Sequence, residues 1–161
     1  MTPDTRILLA EDDSCLASLL IMALEKMKPP TAIVHVSDGV EALDYLHMRG
    51  RFQSGPPYPP SVVLLDLKMP RIDGLEVLRA IKNDERLKMI PVVMLTASQD
   101  DHDLQACYQA GANAYVIKPV VFDNFMEAIR QLGVFWTQIN CPPPSTGDRE
   151  ADRREPAATT S

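Results

Sequence analysis

No stretch of the chain is apolar for long enough to cross a bilayer, which excludes a helical membrane span. The opening Met1-Thr-Pro-Asp-Thr-Arg6 runs straight into an apolar segment and lacks the layout of a secretory signal. Cysteine is scarce: Cys15, Cys107 and Cys141 lie far apart and without metal-ligand spacing, so the expected setting is reducing and cytoplasmic. Cys15 and Cys107 are expected to be small buried packing residues. Basic residues are outnumbered, 16 against 22 acidic, giving a net charge of −6 and a pI near 5.0. That balance speaks against nucleic acid or a membrane surface as partner. Large apolar residues almost vanish after Asn140, so residues 140–161 are expected to be a disordered Pro-rich polar tail following a domain of residues 1–139.

What remains is 45% apolar, enough for a core, and it is arranged in strict alternation. Ser61 to Leu65, after Pro59-Pro60, is a short continuous apolar run, the pattern of a strand buried on both faces, and it ends at Asp66. Arg6 to Ala10 is another such run and stops at Glu11-Asp12-Asp13. Thr31 to Ser37, Pro91 to Leu95 and Ala114 to Ile117 complete five strands. Helical periodicity joins them. Ser14 to Met27 has Asp13 or Ser14 as N-cap, and a second helix after Asp38-Gly39 carries Val40, Ala42, Leu43, Leu46 and Met48. Leu75 to Ile81 forms a third helix. Asp100 to Ala110 has Leu104, Cys107 and Tyr108 on one side and Gly111 at the C′ position. Val121 to about Trp136 carries the stripe Phe122, Phe125, Met126, Ile129 and Leu132. Gly50 to Pro60 is read as a long, Pro-rich surface connection, with docking as its functional alternative. Five strands alternating with five helices predict an α/β fold, a flavodoxin-like doubly wound parallel sheet of order 2-1-3-4-5 in three α/β/α layers.

In that order the first and third strands are neighbours, and their carboxyl ends bring Glu11-Asp12 to Asp66. Thr96 and Lys118 close the fourth and fifth strands at the same edge. Taken singly each has an ordinary explanation: a helix first turn, a turn residue, an N-cap, a solvated lysine. Taken together they make a site. Crowded carboxylates raise one another's pKa, and a hard divalent cation such as Mg²⁺ relieves that with oxygen ligands. An aspartate kept ionised by Mg²⁺ and a lysine is a nucleophile able to accept a phosphoryl group as an acyl phosphate.

The pieces ILLAEDD, LLDLKMPRIDG, PVVMLTAS and GANAYVIKP, spread over about residues 6 to 137, resemble a response-regulator receiver domain of two-component signalling. The resemblance implies Asp66 as phosphoacceptor. It implies Glu11, Asp12 and Asp66 with the main-chain carbonyl of Lys68 as ligands for Mg²⁺. Thr96 and Tyr115 match the switch pair, Lys118 the motif lysine, and the Lys118-Pro119 bond is expected to be cis. The extended loop HMRGRFQSGPPYPPS and the ending DNFMEAIRQLGVFWTQINCP resemble the small receiver-only regulators paired with bacterial phytochrome-type histidine kinases. Lys68 departs from the Asn often found there, and is expected to alter the acyl-phosphate lifetime.

The implied function is Mg²⁺-dependent transfer of a phosphoryl group from a histidine kinase phosphohistidine to Asp66. The surface of the fourth helix, fifth strand and fifth helix, Asp100 to Trp136, is then switched. Such a protein is no enzyme beyond its own phosphorylation and dephosphorylation. With no DNA-binding element after the domain, output is expected through protein contact: a homodimer, a downstream partner or a phosphorelay step. Phe135, Trp136 and Ile139 either cap their own core or meet that partner. Three rivals are weaker. A phosphomonoester hydrolase carries its nucleophilic Asp on the first strand. A flavodoxin-type electron carrier needs a Gly- and hydroxyl-rich loop where Glu11-Asp12-Asp13 stands. An interaction module that is never phosphorylated is expected to have lost part of an acidic set that is intact here.

Overall fold

The computed structural model describes residues 5–55, 58–118 and 122–144. Five strands, β1 (Arg6–Ala10), β2 (Ala32–Val36), β3 (Val62–Leu65), β4 (Val92–Thr96) and β5 (Ala114–Ile117), pair in parallel in the order β2-β1-β3-β4-β5. Helices α1 (Ser14–Glu25), α2 (Gly39–Leu46), α3 (Gly74–Asn83), α4 (Asp101–Ala110) and α5 (Phe122–Val134) alternate with them. The flavodoxin-like doubly wound sheet read from the alternation is the fold observed.

Side chains alternate across each strand, so the sheet feeds two cores. Leu8, Ala10, Val63, Leu65, Val92 and Met94 face α2, α3 and α4, where Ala42, Leu46, Val77, Leu78, Ile81 and Cys107 meet them. Ile7, Leu9, Val62, Leu64, Val93 and Leu95 face α1 and α5, against Ala17, Leu20, Leu24, Phe125 and Ile129. Central strands β3 and β4 are buried along their whole length, which is why they read as unbroken apolar runs.

Helix starts share one device. Asp13, Asp38, Asp73 and Asp100 are the N-caps of α1 to α4, each side chain accepting a backbone N–H of the first turn. Asp13 is therefore consumed by α1, leaving Asp12 beside it free for other work. At the far end of α4, Gly111 takes the left-handed conformation expected of it, with φ +106°.

Several local expectations need correction. Cys15 is exposed, because in the first turn of α1 it is Leu16 and Ala17 that turn toward the core; of the two, only Cys107 is buried. Tyr108 is 50% exposed, and Met48, at φ +55° beyond the end of α2, is also exposed. The last helix does not run straight to Trp136: α5 gives way at Val134 to a π-helical turn, Phe135–Ile139. That turn leaves Phe135 and Ile139 exposed while Trp136 packs against the α1/α5 core, with the Phe135 ring edge-on at 5.0 Å. The Gly50 to Pro60 connection holds a 3-10 turn, Gly50–Phe52, whose Phe52 ring meets Tyr45 edge-on at 5.2 Å and packs on the core. Pro119 and residues 145–161 lie outside the described residues, and with them the expected cis bond and most of the expected tail.

Candidate functional site

The carboxyl edge of the sheet is where the chemistry-bearing residues meet, and the backbone fixes each one by continuing the sheet. The N–H of Glu11 donates to Val36 of β2 at 3.1 Å, that of Asp66 to Ala10 of β1 at 3.0 Å, and that of Lys118 to Thr96 of β4 at 2.7 Å. Each side chain thus leaves from a strand end tied to its neighbour, which sets its position to the precision of the sheet.

One carboxylate oxygen from each of Glu11, Asp12 and Asp66 lies within 4.8 Å of the others. Glu11 is 1% exposed and Asp66 6%, whereas Asp12 is open to solvent. Lys118 Nζ donates to Glu11 Oε2 at 3.0 Å and lies 3.5 Å from Asp66 Oδ2. Burial pushes the Glu11 carboxyl up to about 7, with the Asp66 charge adding to the rise and the Lys118 ammonium opposing it. Burial also raises Asp66, against the pull of Lys118 and the hydrogen bonds from Glu11 and the Lys68 N–H. Two acids held above their ordinary range form a site with too much negative charge for the cation it has. An all-oxygen set of three carboxylates is the donor chemistry of a hard divalent ion, and these residues fit one.

Around this core the other expected residues fall at the same edge. The N–H of Lys68 donates to Asp66 Oδ1 at 3.4 Å, so the loop carrying its carbonyl folds back over the acid. Gly74 closes that loop: a Cβ there would overlap the Asp66 carbonyl oxygen. Thr96 is buried, its Oγ1 accepting the Ser98 N–H at 3.1 Å. Tyr115 is half-buried on β5, its hydroxyl donating to the Ser98 carbonyl at 3.1 Å.

Three residues at the edge escape a reading of the sequence. His35 Nε2 hydrogen-bonds the Glu11 carbonyl at 2.9 Å, acting as donor there. Ser98 links Thr96 and Tyr115, and its hydroxyl donates to Asp103 Oδ2 at 2.7 Å. Asp103 also lies 4.0 Å from Lys68 Nζ. The spacing of Ser98 two residues past Thr96 is a weak signal; nothing local marks His35 or Asp103.

Comparison with known proteins gives this arrangement a family. The response regulator receiver domain profile matches residues 7–130. Probable methanogenesis regulatory protein FilR2 of Methanothrix harundinacea is 40% identical over 137 residues, covering 85% of this chain and 86% of its own. Response regulator Rcp1 of Synechocystis sp. is 32% identical over 136 residues, covering 84% and 91%. Among solved structures, the phosphorylated cyanobacterial phytochrome response regulator RcpA superposes with a TM-score of 0.82 at 34% identity, covering 87% of this chain and 99% of that one. The Mn²⁺-bound form of Rcp1 gives 0.81 at 31% identity, covering 87% and 99%. The bacteriophytochrome response regulator RtBRR gives 0.69 at 47% identity, covering 93% and 89%. The chain belongs to the response regulator receiver family, and its relatives include single-domain regulators of the phytochrome type. No helix among the described residues is long and apolar enough to cross a membrane.

Proposed function

We propose that this protein is a phosphoacceptor response regulator that takes a phosphoryl group from the phosphohistidine of a sensor histidine kinase onto Asp66. One observation carries the reading: acids from two strand ends lie within 4.8 Å of one another, with the Lys118 ammonium 3.0 and 3.5 Å from two of them. A carboxylate oxygen of Asp66 attacks phosphorus, the bond from phosphorus to the imidazole nitrogen breaks, and the imidazole leaves with the bonding pair. Lys118 draws the developing charge on the phosphoryl oxygens, and the Thr96 hydroxyl turns toward them at the expense of its bond from Ser98. Glu11, Asp12, Asp66 and the Lys68 carbonyl would hold Mg²⁺, which when bound neutralises phosphoryl charge. The Mn²⁺-bound form of Rcp1 supports a divalent ion in this family.

Residues 1–139 act as the receiver and 140–161 as its tail, in the cytoplasm. Tyr115 follows Thr96 inward, and the surface of α4, β5 and α5 carries the signal to a protein partner or a second copy of the chain. Exposed Tyr108, Ile117 and Phe135 on those elements and the turn after α5 support a contact there. The likeness to phytochrome-type regulators supports a phytochrome-type kinase as donor. Lys68, rooted beside the acyl phosphate, sets its lifetime, and equal autodephosphorylation of Lys68→Asn and wild type would discard that part. The decisive test is incubation with acetyl phosphate and Mg²⁺ followed by mass spectrometry. A phosphoryl mass on wild type that is absent from Asp66→Asn, and absent in chelator, is expected; labelling of Asp66→Asn at wild-type level refutes the assignment.

A further inference from the structure

The site has a second cation at its mouth, and that cation is already engaged. Lys68 stands two residues after Asp66, with its backbone N–H on the Asp66 carboxylate, yet its ammonium makes its ion pair with Asp103 on α4 and none with Asp66 among the described residues. The same Asp103 oxygen, Oδ2, accepts the Ser98 hydroxyl at 2.7 Å. Ser98 in turn gives its N–H to Thr96 Oγ1, takes the Asp100 N–H at 3.3 Å on its hydroxyl, and takes the Tyr115 hydroxyl on its carbonyl. Asp103 is thus the point at which the loop after β3 and the loop before α4 are fastened together.

We propose that Asp103 is a positioning residue that holds the Lys68 ammonium away from Asp66 in the unmodified protein and surrenders it when a phosphoryl group arrives. The inference rests on Asp66 being the phosphoacceptor. A phosphoryl group there carries roughly two negative charges and draws the nearest mobile ammonium. Lys68 is that group, with its side chain 76% exposed on a flexible stem, whereas Lys118 is already held between Glu11 and Asp66. Lys68 cannot serve both partners, so anion binding at Asp66 and the fastening of α4 compete for one charge. When Lys68 leaves, the Ser98 hydroxyl becomes the remaining hydrogen bond on Asp103 among the described residues. The first turn of α4 is then free to follow Thr96 and Tyr115.

The competition has a measurable sign. An exposed ion pair shifts an equilibrium by about 2- to 5-fold. Removing Asp103 abolishes the cost of extracting Lys68, so Asp103→Asn is expected to bind beryllofluoride with Mg²⁺, a mimic of the phosphoryl group, about 2- to 5-fold more tightly than wild type in calorimetric titration. In a Lys68→Met background the same substitution is expected to change nothing, and Asp103→Glu is expected to return affinity to the wild-type value. The gain should shrink toward unity in 0.5 M salt, where exposed pairs are screened. Equal affinity of Asp103→Asn and wild type overturns the proposal. So does a gain that persists in Lys68→Met, since that is bulk charge rather than a held lysine. Wild type that binds no beryllofluoride, or binds it as Asp66→Asn does, fails the phosphoacceptor reading itself and is told apart by that control.

Discussion

Replacing Glu11 by glutamine should make the metal-free protein more stable above pH 7, although it removes a buried ion pair. Glu11 is 1% exposed, and burial carries its carboxyl from 4.5 to about 7. Between those values the folded protein holds a proton that the unfolded chain has released. Stability therefore falls as pH rises from 4.5 to about 7 and stays low above it. The displacement corresponds to about 3 kcal/mol. Glutamine carries no charge to desolvate, but its single amide oxygen cannot serve both Lys118 Nζ and the Asp13 N–H, which Glu11 satisfies with two oxygens. Losing one such bond costs about 1 kcal/mol. Lys118 is not stranded, because Asp66 Oδ2 remains 3.5 Å away. The net expectation is a gain of about 2 kcal/mol at pH 8, or about 6 °C in Tm for a chain of this size. Thermal denaturation in chelator from pH 5 to 8.5 measures it: the gap between variant and wild type opens with pH and closes toward pH 5. Excess Mg²⁺ at pH 8 should raise wild type more than the variant, since it binds the folded site only. A Glu11→Gln protein that melts below wild type at pH 8 in chelator would show that the Lys118 pair outweighs the cost of burial, and the account of an overcharged site would fall.

Three further outcomes follow from the same geometry. Lys118→Met removes the ammonium that Glu11 and Asp66 share among the described residues, so both carboxyls should titrate higher still, and labelling by acetyl phosphate should drop by at least about 100-fold; labelling within a few-fold of wild type contradicts the role given to it. Lys82→Met should cost about 2 kcal/mol in urea denaturation without changing phosphorylation. Its Nζ donates to the carbonyls of Lys88 and Ile90 and to Asn113 Oδ1 at 3.1, 2.8 and 3.0 Å, at the amino end of β4, remote from the site. Gly74→Ala should cost about 2 kcal/mol or more and impair labelling together, because its Cβ would overlap the Asp66 carbonyl; a stable, fully active variant would show that the loop after Asp66 tolerates displacement.

The parts of this molecule that could be read from the chain are those whose cause is local. Runs such as Val62–Leu65 are apolar because both faces of the strand are covered, and the runs of β1 and β3 each give way to an acid, Glu11 and Asp66, at the carboxyl edge of the sheet. Parallel order then brings Glu11, Asp12 and Asp66 together without any knowledge of side-chain angles. What escaped has a cause that spans the chain. His35 meets the Glu11 carbonyl across 24 positions, and Lys82 meets Asn113 across 31; neither side chain carries in sequence any mark of the acceptor it will find. Residue type is a weak guide to burial for Cys15, a small hydrophobe that nonetheless lies exposed on the first turn of α1. Helix α4 buries only Cys107 fully, so one apolar position suffices there and Tyr108 is left outside. The π-helical turn at Phe135 is of the same kind: the periodicity continues smoothly through it, and only docking of Trp136 on the α1/α5 core shows that the turn has widened.

The loop between Asp66 and α3 is anchored unequally on its two sides, and that inequality gives a direction to any change at Asp66. On the α2 side, Arg71 takes φ +69° and pairs with Asp38 Oδ2 at 3.1 Å. The Asp38 side chain is 13% exposed, and its other oxygen accepts the Glu41 N–H as the cap of α2. Breaking this contact would leave a mostly buried carboxylate without its cation and loosen a helix start. On the α4 side, Lys68 meets Asp103 at 4.0 Å, with side chains 76% and 29% exposed, so water can replace either partner at little cost. A charge added at Asp66 perturbs both ends of one short loop, and the end that yields is the one whose partners are already solvated. Motion after such a charge is added would therefore be directed toward α4, where Ser98 ties Thr96 and Tyr115 into the same cluster of hydrogen bonds, while α2 would be held by its mostly buried cap.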